Sequence, residues 1–185
     1  MQTKSEVKQA ILCDWNRYSD YQKESNTLLF VMKHPGAKLT KTYRWMRYYK
    51  EHGNKVMFFL YRLLYHRQCQ KAGCDIPARV FLGSGLCLPH PRGIVINSQT
   101  IVGENVTILG NVVIEKTEKG TPQIGNNVYI GANAVIIGSV KVEDDCVVGA
   151  GAVVTHHVAK KQTVVGNPAR EIKRKYTKCG DGENT

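Results

Sequence analysis

The sequence feature that most constrains the fold is a strict six-residue repeat between residues 124 and 158. An aliphatic residue opens each unit, and a small or aliphatic residue fills the fifth place of each unit. The opening residues are Ile124, Ile130, Ile136, Val142, Val148 and Val154, and the fifth places are Val128, Ala134, Val140, Cys146, Ala152 and Val158. A helix repeats about every 3.6 residues and a strand every two, so a period of six predicts short strands joined by bends, stacked as a parallel β-helix.

Residues between the expected strands suit tight bends. Gly, Asn and Asp fill the third and fourth places, as in Asn126-Asn127 and Asp144-Asp145. Such residues tolerate positive φ or hydrogen-bond to their own backbone. Three units would close one triangular coil, which buries its aliphatic residues only against neighbouring coils, so the solenoid must be capped.

The rest of the sequence divides the chain into three parts. Residues 1–72 predict a helical N-terminal domain, residues 73–165 the β-helix, and residues 166–185 a basic tail. Helices are expected at 5–15, 24–32, 40–50 and 56–69. In the last of these, the apolar residues fall on one helical face: Val56, Phe59, Leu60, Leu63 and Leu64.

The hexad period slips twice before the unbroken stretch. A slip of two residues spans 89–93 and contains His90, the only histidine between residues 67 and 155. A slip of four residues falls in 115–123, a polar stretch that predicts a loop leaving the coil. Function in repeat proteins is often carried by such loops, so both slips are candidate sites.

Asp75 and His90 form a candidate acid–base pair. Asp75 precedes His90 by fifteen residues, and a coil of three hexads returns the chain over itself after about eighteen residues. We therefore expect the two side chains on adjacent coils near the same wall. A carboxylate that holds an imidazole through one nitrogen leaves the other nitrogen free as a general base. A turn or capping role is the alternative for each residue.

Composition restricts the binding partners and the cellular location that we expect for the chain. The formal net charge of +11 favours an anionic partner such as a phosphorylated cofactor, and no groove-reading motif predicts nucleic-acid binding. Six cysteines show no zinc-binding spacing, so we expect no metal, and a buried free thiol at Cys146. No apolar run approaches ~18 residues and the N-terminus is polar, so we expect a soluble, cytoplasmic protein without an integral membrane segment.

Five segments together resemble the serine acetyltransferase family of hexapeptide-repeat acyltransferases, over roughly residues 70–174. They are Gly73-Cys74-Asp75-Ile76, Leu88-Pro89-His90-Pro91-Arg92-Gly93-Ile94-Val95, Ile130-Gly131-Ala132, Val148-Gly149-Ala150-Gly151 and Gly166-Asn167-Pro168-Ala169-Arg170. The resemblance implies a mainly β protein with an α-helical N-terminal part, whose solenoid is a single-stranded left-handed parallel β-helix. Members of that family are trimers, in some cases paired into hexamers, so a homotrimer or a dimer of trimers is expected.

The resemblance also implies a reaction, in which an acetyl group moves from acetyl-CoA, as co-substrate, to an acceptor hydroxyl without a metal. His90 matches the family's general base, and Asp75 matches the aspartate that orients it. The positions that match the cofactor-binding region are Gly131, Ala132, Gly149, Ala150, Gly166, Pro168 and Lys161.

Two departures from the family concern the acceptor. The aspartate that precedes the family's catalytic histidine is replaced by Pro89, and the family's Arg-His pair in the long loop is replaced by Gly120-Thr121. The ammonium group of serine would then lack a carboxylate partner, which is costly in a buried site. We therefore expect an acceptor other than free L-serine, namely a sugar hydroxyl of a surface polysaccharide or its precursor.

Thr117, Glu118 and Lys119 in the loop are candidate acceptor contacts. The alternatives are an L-serine O-acetyltransferase of cysteine biosynthesis and, in a different class, a non-catalytic β-helix scaffold.

Overall fold

The computed structural model describes residues 2–18 and 27–172 of the 185-residue chain. The described helices are α1 (Lys4–Trp15), α2 (Thr27–Lys33), α3 (Pro35–Glu51) and α4 (Lys55–Ala72). The first residues of the helix expected at 24–32 lie outside the described ranges. Helix α3 begins at Pro35 rather than at residue 40, because the fixed φ and missing N–H of proline suit the first position of a helix.

Short strands form the remainder of the described chain. They are β1 (Phe81–Leu82), β2 (Val95–Ile96), β3 (Ile101–Val102), β4 (Thr107–Ile108), β5 (Val113–Glu115), β6 (Gln123–Ile124), β7 (Tyr129–Ile130), β8 (Val135–Ile137), β9 (Lys141–Val142), β10 (Val147–Val148), β11 (Val153–Val154), β12 (Thr163–Val165) and β13 (Arg170–Ile172). Sheet 1 contains β1, β3, β6 and β9, sheet 2 contains β4, β7, β10, β12 and β13, and sheet 3 contains β2, β5, β8 and β11. The chain visits the sheets in turn, with parallel pairing throughout except between β12 and β13. The parallel β-solenoid expected from the hexads is confirmed.

The register of the coils is the one that the hexads predict. Every opening residue and every fifth residue between 124 and 158 is buried, including Cys146, whose thiol is free. The bends have positive φ at Asn127 (55°), Asn133 (60°) and Asp145 (61°), in the left-handed region that Asn and Asp tolerate. The aliphatic ladder therefore fills the solenoid, and the bends lie outside it.

The helical domain covers the first coil. Tyr43 and Tyr65 donate side-chain hydrogen bonds to the carbonyl oxygens of Val80 and Ile76. The guanidinium of Arg44 donates to the carbonyl oxygens of Leu82 (2.8 Å) and Gly83 (2.6 Å). An end coil leaves such backbone groups without a neighbouring strand, and an unpaired buried carbonyl is costly. The helices thus provide the cap that a solenoid requires.

The opposite end of the solenoid is closed by β13, which pairs antiparallel with β12. This strand lies within the segment expected to be a basic tail from residue 166, and the residues after 172 lie outside the described chain. No helix in the described ranges is long and apolar enough to cross a membrane.

The apolar face predicted for α4 does not face the solenoid. Its members are exposed: Val56 (78%), Phe59 (67%), Leu60 (46%), Leu63 (45%) and Leu64 (41%). The buried residues of α4 are Tyr65 and Cys69, on the opposite side of the helix. A single chain therefore leaves a contiguous apolar surface uncovered.

Candidate functional site

The turns that join sheet 2 to sheet 3 stack directly above one another, and we name this edge the 2–3 corner. Successive turns are joined by backbone hydrogen bonds from Asn111 to Arg92 (2.8 Å), Asn133 to Gly110 (3.0 Å) and Gly151 to Ala132 (2.9 Å). The last turn is joined to the coil before it by a bond from Val153, in β11, to Gly166 (2.9 Å). The first turn, 89–94, contains His90, and the later turns contain Gly131, Ala132, Gly149, Ala150, Gly166 and Pro168. The structure thus brings the predicted base and six of the seven predicted cofactor positions to one corner.

Close approach of the coils explains two of the small residues at this corner. A Cβ atom at Gly131 would lie 2.5 Å from the backbone nitrogen of Ala150, and one at Gly149 would lie 2.7 Å from Cγ1 of Val165. Ala132 is half-buried, whereas Ala150, Gly166 and Pro168 are exposed. Of these six residues only Gly131 is buried, and none carries a large side chain that would obstruct an extended ligand.

His90 is exposed, and it lies between a half-buried Pro89 and a buried Pro91. The preceding strand is fixed by Tyr18, whose hydroxyl donates to the carbonyl oxygen of Leu88 and accepts from its N–H, both at 3.2 Å. Burial raises the pKa of Tyr18, so this phenol stays protonated at neutral pH. The helical domain therefore holds the turn that carries the histidine.

Asp75 lies beside the 2–3 corner, on the coil before that of His90. Its N–H donates to the carbonyl oxygen of Ile94 (2.8 Å), and its own carbonyl oxygen accepts from Ile96 (2.9 Å), so it is in register with Val95 on sheet 3. The side chain of Asp75 is exposed. Among the described residues no hydrogen bond or ion pair joins it to His90, so the orienting role of Asp75 stays a prediction.

Lys161 is not brought to the 2–3 corner. It occupies a turn between sheets 1 and 2, where its N–H donates to the carbonyl oxygen of Asp144 (3.0 Å). Its φ of 65° is unusual for a lysine. Within one chain, Lys161 thus lies at a different corner from the other six predicted cofactor positions, and its predicted role in cofactor binding stays a prediction.

The loop of the second slip lies at a third edge, the 3–1 corner, where the chain passes from sheet 3 to sheet 1. Thr117 and Gly120 exchange backbone hydrogen bonds of 3.0 and 3.1 Å, which close the loop. A cavity of about 480 Å³ is lined there by Thr117, Glu118 and Lys119, by residues 137–139 at the end of β8, and by Thr155 after β11. Sheet 3 separates this cavity from His90, by roughly 10 Å for a three-residue strand.

Sequence reasoning did not identify Tyr18 or Arg44 as residues that support the site. Tyr18 contacts a residue 70 positions away and Arg44 one 38 positions away, and no local pattern indicates either contact. In the described ranges, no three His, Cys, Asp or Glu residues are grouped so that they could hold a metal ion.

Comparisons with known proteins give a consistent family. Residues 121–156 match the family model of the bacterial transferase hexapeptide (six repeats). Serine acetyltransferase 3, mitochondrial, from Arabidopsis thaliana is 38% identical over 112 residues, which are 58% of this chain and 29% of that protein. The chain spans about half or less of the length of the curated relatives that it matches.

Solved structures align over most of the chain. Serine acetyltransferase from Brucella abortus in complex with coenzyme A is 30% identical, with a TM-score of 0.77, and the match covers 91% of this chain and 68% of that one. Serine acetyltransferase from Neisseria gonorrhoeae in complex with serine is 27% identical, with a TM-score of 0.76, and the match covers 92% of this chain and 70% of that one. The chain therefore belongs to the serine acetyltransferase-like family of left-handed β-helix, hexapeptide-repeat acyltransferases.

Proposed function

We propose that this protein is an acetyl-CoA-dependent O-acetyltransferase in which His90 is the general base and Asp75 is a positioning residue. The observation that carries the proposal is the 2–3 corner, where an exposed histidine begins a column of small residues, most of them at least partly exposed. From the turn of His90 to Gly166 the column rises four coils, or roughly 19 Å at the usual strand spacing. That length is comparable with an extended pantetheine arm, and the Brucella relative is a complex with coenzyme A.

The reaction follows from a base placed beside a thioester. A nitrogen of His90 takes the proton of the acceptor hydroxyl as the oxygen attacks the acetyl carbonyl carbon. The new C–O bond forms, the C–S bond breaks, and the proton passes from the imidazole to the departing coenzyme A sulfur. Backbone N–H groups near the carbonyl can stabilise the tetrahedral oxyanion. Asp75 would select the imidazole tautomer that leaves a nitrogen free.

The arrangement of the corners supports assembly into a homotrimer or a dimer of trimers. The loop at the 3–1 corner and His90 at the 2–3 corner lie on opposite edges of sheet 3, so they meet only if a second copy supplies one of them. The uncovered apolar face of α4 offers a contact surface. In this scheme, residues 1–72 are a capping and assembly domain, residues 73–165 are the acyltransferase domain, and residues 166–185 are a basic C-terminal segment.

L-serine is the acceptor that the comparisons favour. The curated relatives are named as serine acetyltransferases, and the Neisseria structure contains serine. The sugar acceptor expected from the sequence finds no support among these relatives. It is kept as a second candidate on one observation, that Pro89 and Gly120-Thr121 stand where the family has an aspartate and an Arg-His pair.

Release of free thiol from acetyl-CoA tests the reaction. With an acceptor that supports turnover, His90→Ala should lower kcat by about 10²–10⁴-fold, the usual contribution of a general base. His52→Ala is the matched control, since His52 is exposed in the turn after α3 and lies at neither corner. Equal turnover by the wild type and His90→Ala would refute the mechanism.

A direct comparison of acceptors decides the substrate class. The wild type is given L-serine and, separately, nucleotide-activated and lipid-linked sugars, with products identified by the mass of one acetyl group. Efficient O-acetyl-serine formation would establish serine and eliminate the sugar hypothesis. Formation of an acetylated sugar without O-acetyl-serine would instead establish a sugar acceptor and eliminate L-serine.

A further inference from the structure

A second cavity, of about 590 Å³, lies between α3, α4 and the first coil. Its solenoid wall is Cys74 to Arg79, which runs from sheet 3 into the first 3–1 corner. Buried residues form its floor, including Met46, Tyr65 and Ile76. A volume of this size is typical of small-molecule sites. The cavity is separate from the small-residue column, which lies at the 2–3 corner.

Four permanent cations line this cavity against one carboxylate. The cations are Arg47, Lys50, Arg62 and Arg79, and the carboxylate is Asp75. Arg47 approaches Glu51 at 3.7 Å, whereas no ion pair involves the other three cations among the described residues. The cavity therefore gathers positive charge that the described residues leave largely unneutralised, and a concave site focuses such a field on an anion.

The excess of positive charge in the cavity indicates which class of anion would bind there. A single carboxylate would leave most of the excess charge unmatched. A phosphate group carries about two negative charges at neutral pH, and guanidinium groups bind phosphate oxygens in pairs. We propose that this cavity is a binding site for a phosphate- or diphosphate-bearing small molecule. The proposal is argued from the cavity alone and not from the acetyl-transfer mechanism, although the two share Asp75.

Calorimetric titration of the full-length protein with inorganic pyrophosphate tests the site, with sodium chloride matching the ionic strength. We expect one pyrophosphate per chain. In the Arg62→Gln/Arg79→Gln variant, the dissociation constant should rise about tenfold or more, since two charge-assisted contacts are lost. Arg67→Gln is the matched control, because Arg67 is exposed on the same helix and does not line the cavity. Its dissociation constant should stay within about twofold of the wild type.

Lys50→Gln provides an independent variant if the double variant fails to fold, and it too should weaken binding. Absence of binding heat in the wild type, or equal weakening by Arg67→Gln, would overturn the proposal. His90→Ala should bind pyrophosphate as the wild type does, so this result stands apart from any failure of the acetyl-transfer mechanism. Two further arms identify the source of the phosphate. In the first, a nucleotide diphosphate sugar is supplied with acetyl-CoA, and its acetylation would identify the ligand of this cavity as the acceptor. In the second, pyrophosphate is added to the acetyl-transfer assay, and a change in kcat or KM without consumption of pyrophosphate would identify the cavity as an effector site.

Discussion

Arg44 and Asp14 join the helical domain to the first coil through a buried ion pair. The two side chains are 8% and 0% exposed, and two hydrogen bonds of 2.8 and 3.0 Å link them. Asp14 also accepts a hydrogen bond from the N–H of Leu86 (3.0 Å), while Arg44 donates to the carbonyl oxygens of Leu82, at the end of β1, and of Gly83. Burial raises the pKa of Asp14, and the guanidinium of Arg44 opposes that rise. Each partner therefore offsets part of the cost of burying the other.

Replacing Arg44 by methionine should lower the free energy of unfolding by about 3–5 kcal/mol, because Asp14 would be buried without its cation. Chemical denaturation measures the loss. Arg47→Met is the control, because the Arg47 ion pair with Glu51 is partly exposed and should be worth about 1 kcal/mol or less. A loss no larger than in this control would show that the pair does not hold the cap.

The loss caused by Arg44→Met should depend on pH. Without the guanidinium, burial raises the pKa of Asp14 further above its unfolded value. A carboxyl group whose folded pKa is raised stabilises the fold at low pH, and this contribution is lost as the pH rises. The deficit relative to the wild type should therefore be larger at pH 8 than at pH 5. An equal deficit at the two pH values would mean that Asp14 does not titrate in the variant.

Lys161 is the exception among the bends with positive φ. Across residues 2–18 and 27–172, the other non-glycine residues in that conformation are asparagines and one aspartate: Asn105, Asn111, Asn127, Asn133 and Asp145. A lysine pays about 1–2 kcal/mol for left-handed backbone, which asparagine tolerates. Lys161→Asn should therefore raise the free energy of unfolding by up to about 1 kcal/mol. Lys160→Asn, at an adjacent exposed lysine outside that conformation, should leave it unchanged.

At the scale of elements, the coils are held at a spacing that only small residues permit. At Gly131, a Cβ atom would meet the backbone nitrogen of Ala150 at 2.5 Å, and the next nearest atoms are also backbone atoms of the neighbouring coil, which cannot move aside easily. At Gly110, one coil earlier at the same corner, the nearest atom is at 3.1 Å. The two glycines therefore differ in the space available rather than in their position within the coil.

Gly131→Ala should destabilise the protein by about 1–3 kcal/mol, as overpacking does, and lower turnover by deforming the 2–3 corner. Gly110→Ala should lower the free energy of unfolding clearly less than Gly131→Ala does. Thermal unfolding and acetyl-CoA turnover of both variants measure the difference. Similar melting temperatures for the two variants would indicate that the coils separate without cost.

The sequence predicts the solenoid well because its period is local. Each coil buries its hexads against the next coil, so the inward orientation of Ile124 and Val128 can be predicted from their positions in the repeat alone. The stripe on α4 is different: periodicity indicates the helix but not which surface covers Phe59 or Leu63. The corner shared by His90 and Ala132 could be inferred from the repeat, whereas the contact of Tyr18 with Leu88 depends on how the helices dock.

For the whole molecule, the exposed face of α4 predicts assembly. Leu63→Asp places a charge in the centre of this face, so association should weaken and the mass measured by light scattering should fall from oligomer to single chain. Turnover should fall with it although His90 is untouched, because the loop at the 3–1 corner and His90 would no longer meet. Lys38→Asp, at an exposed position of α3, should preserve both mass and turnover. An unchanged mass for Leu63→Asp would assign the assembly to another surface, and full turnover by a single-chain species would refute a shared site.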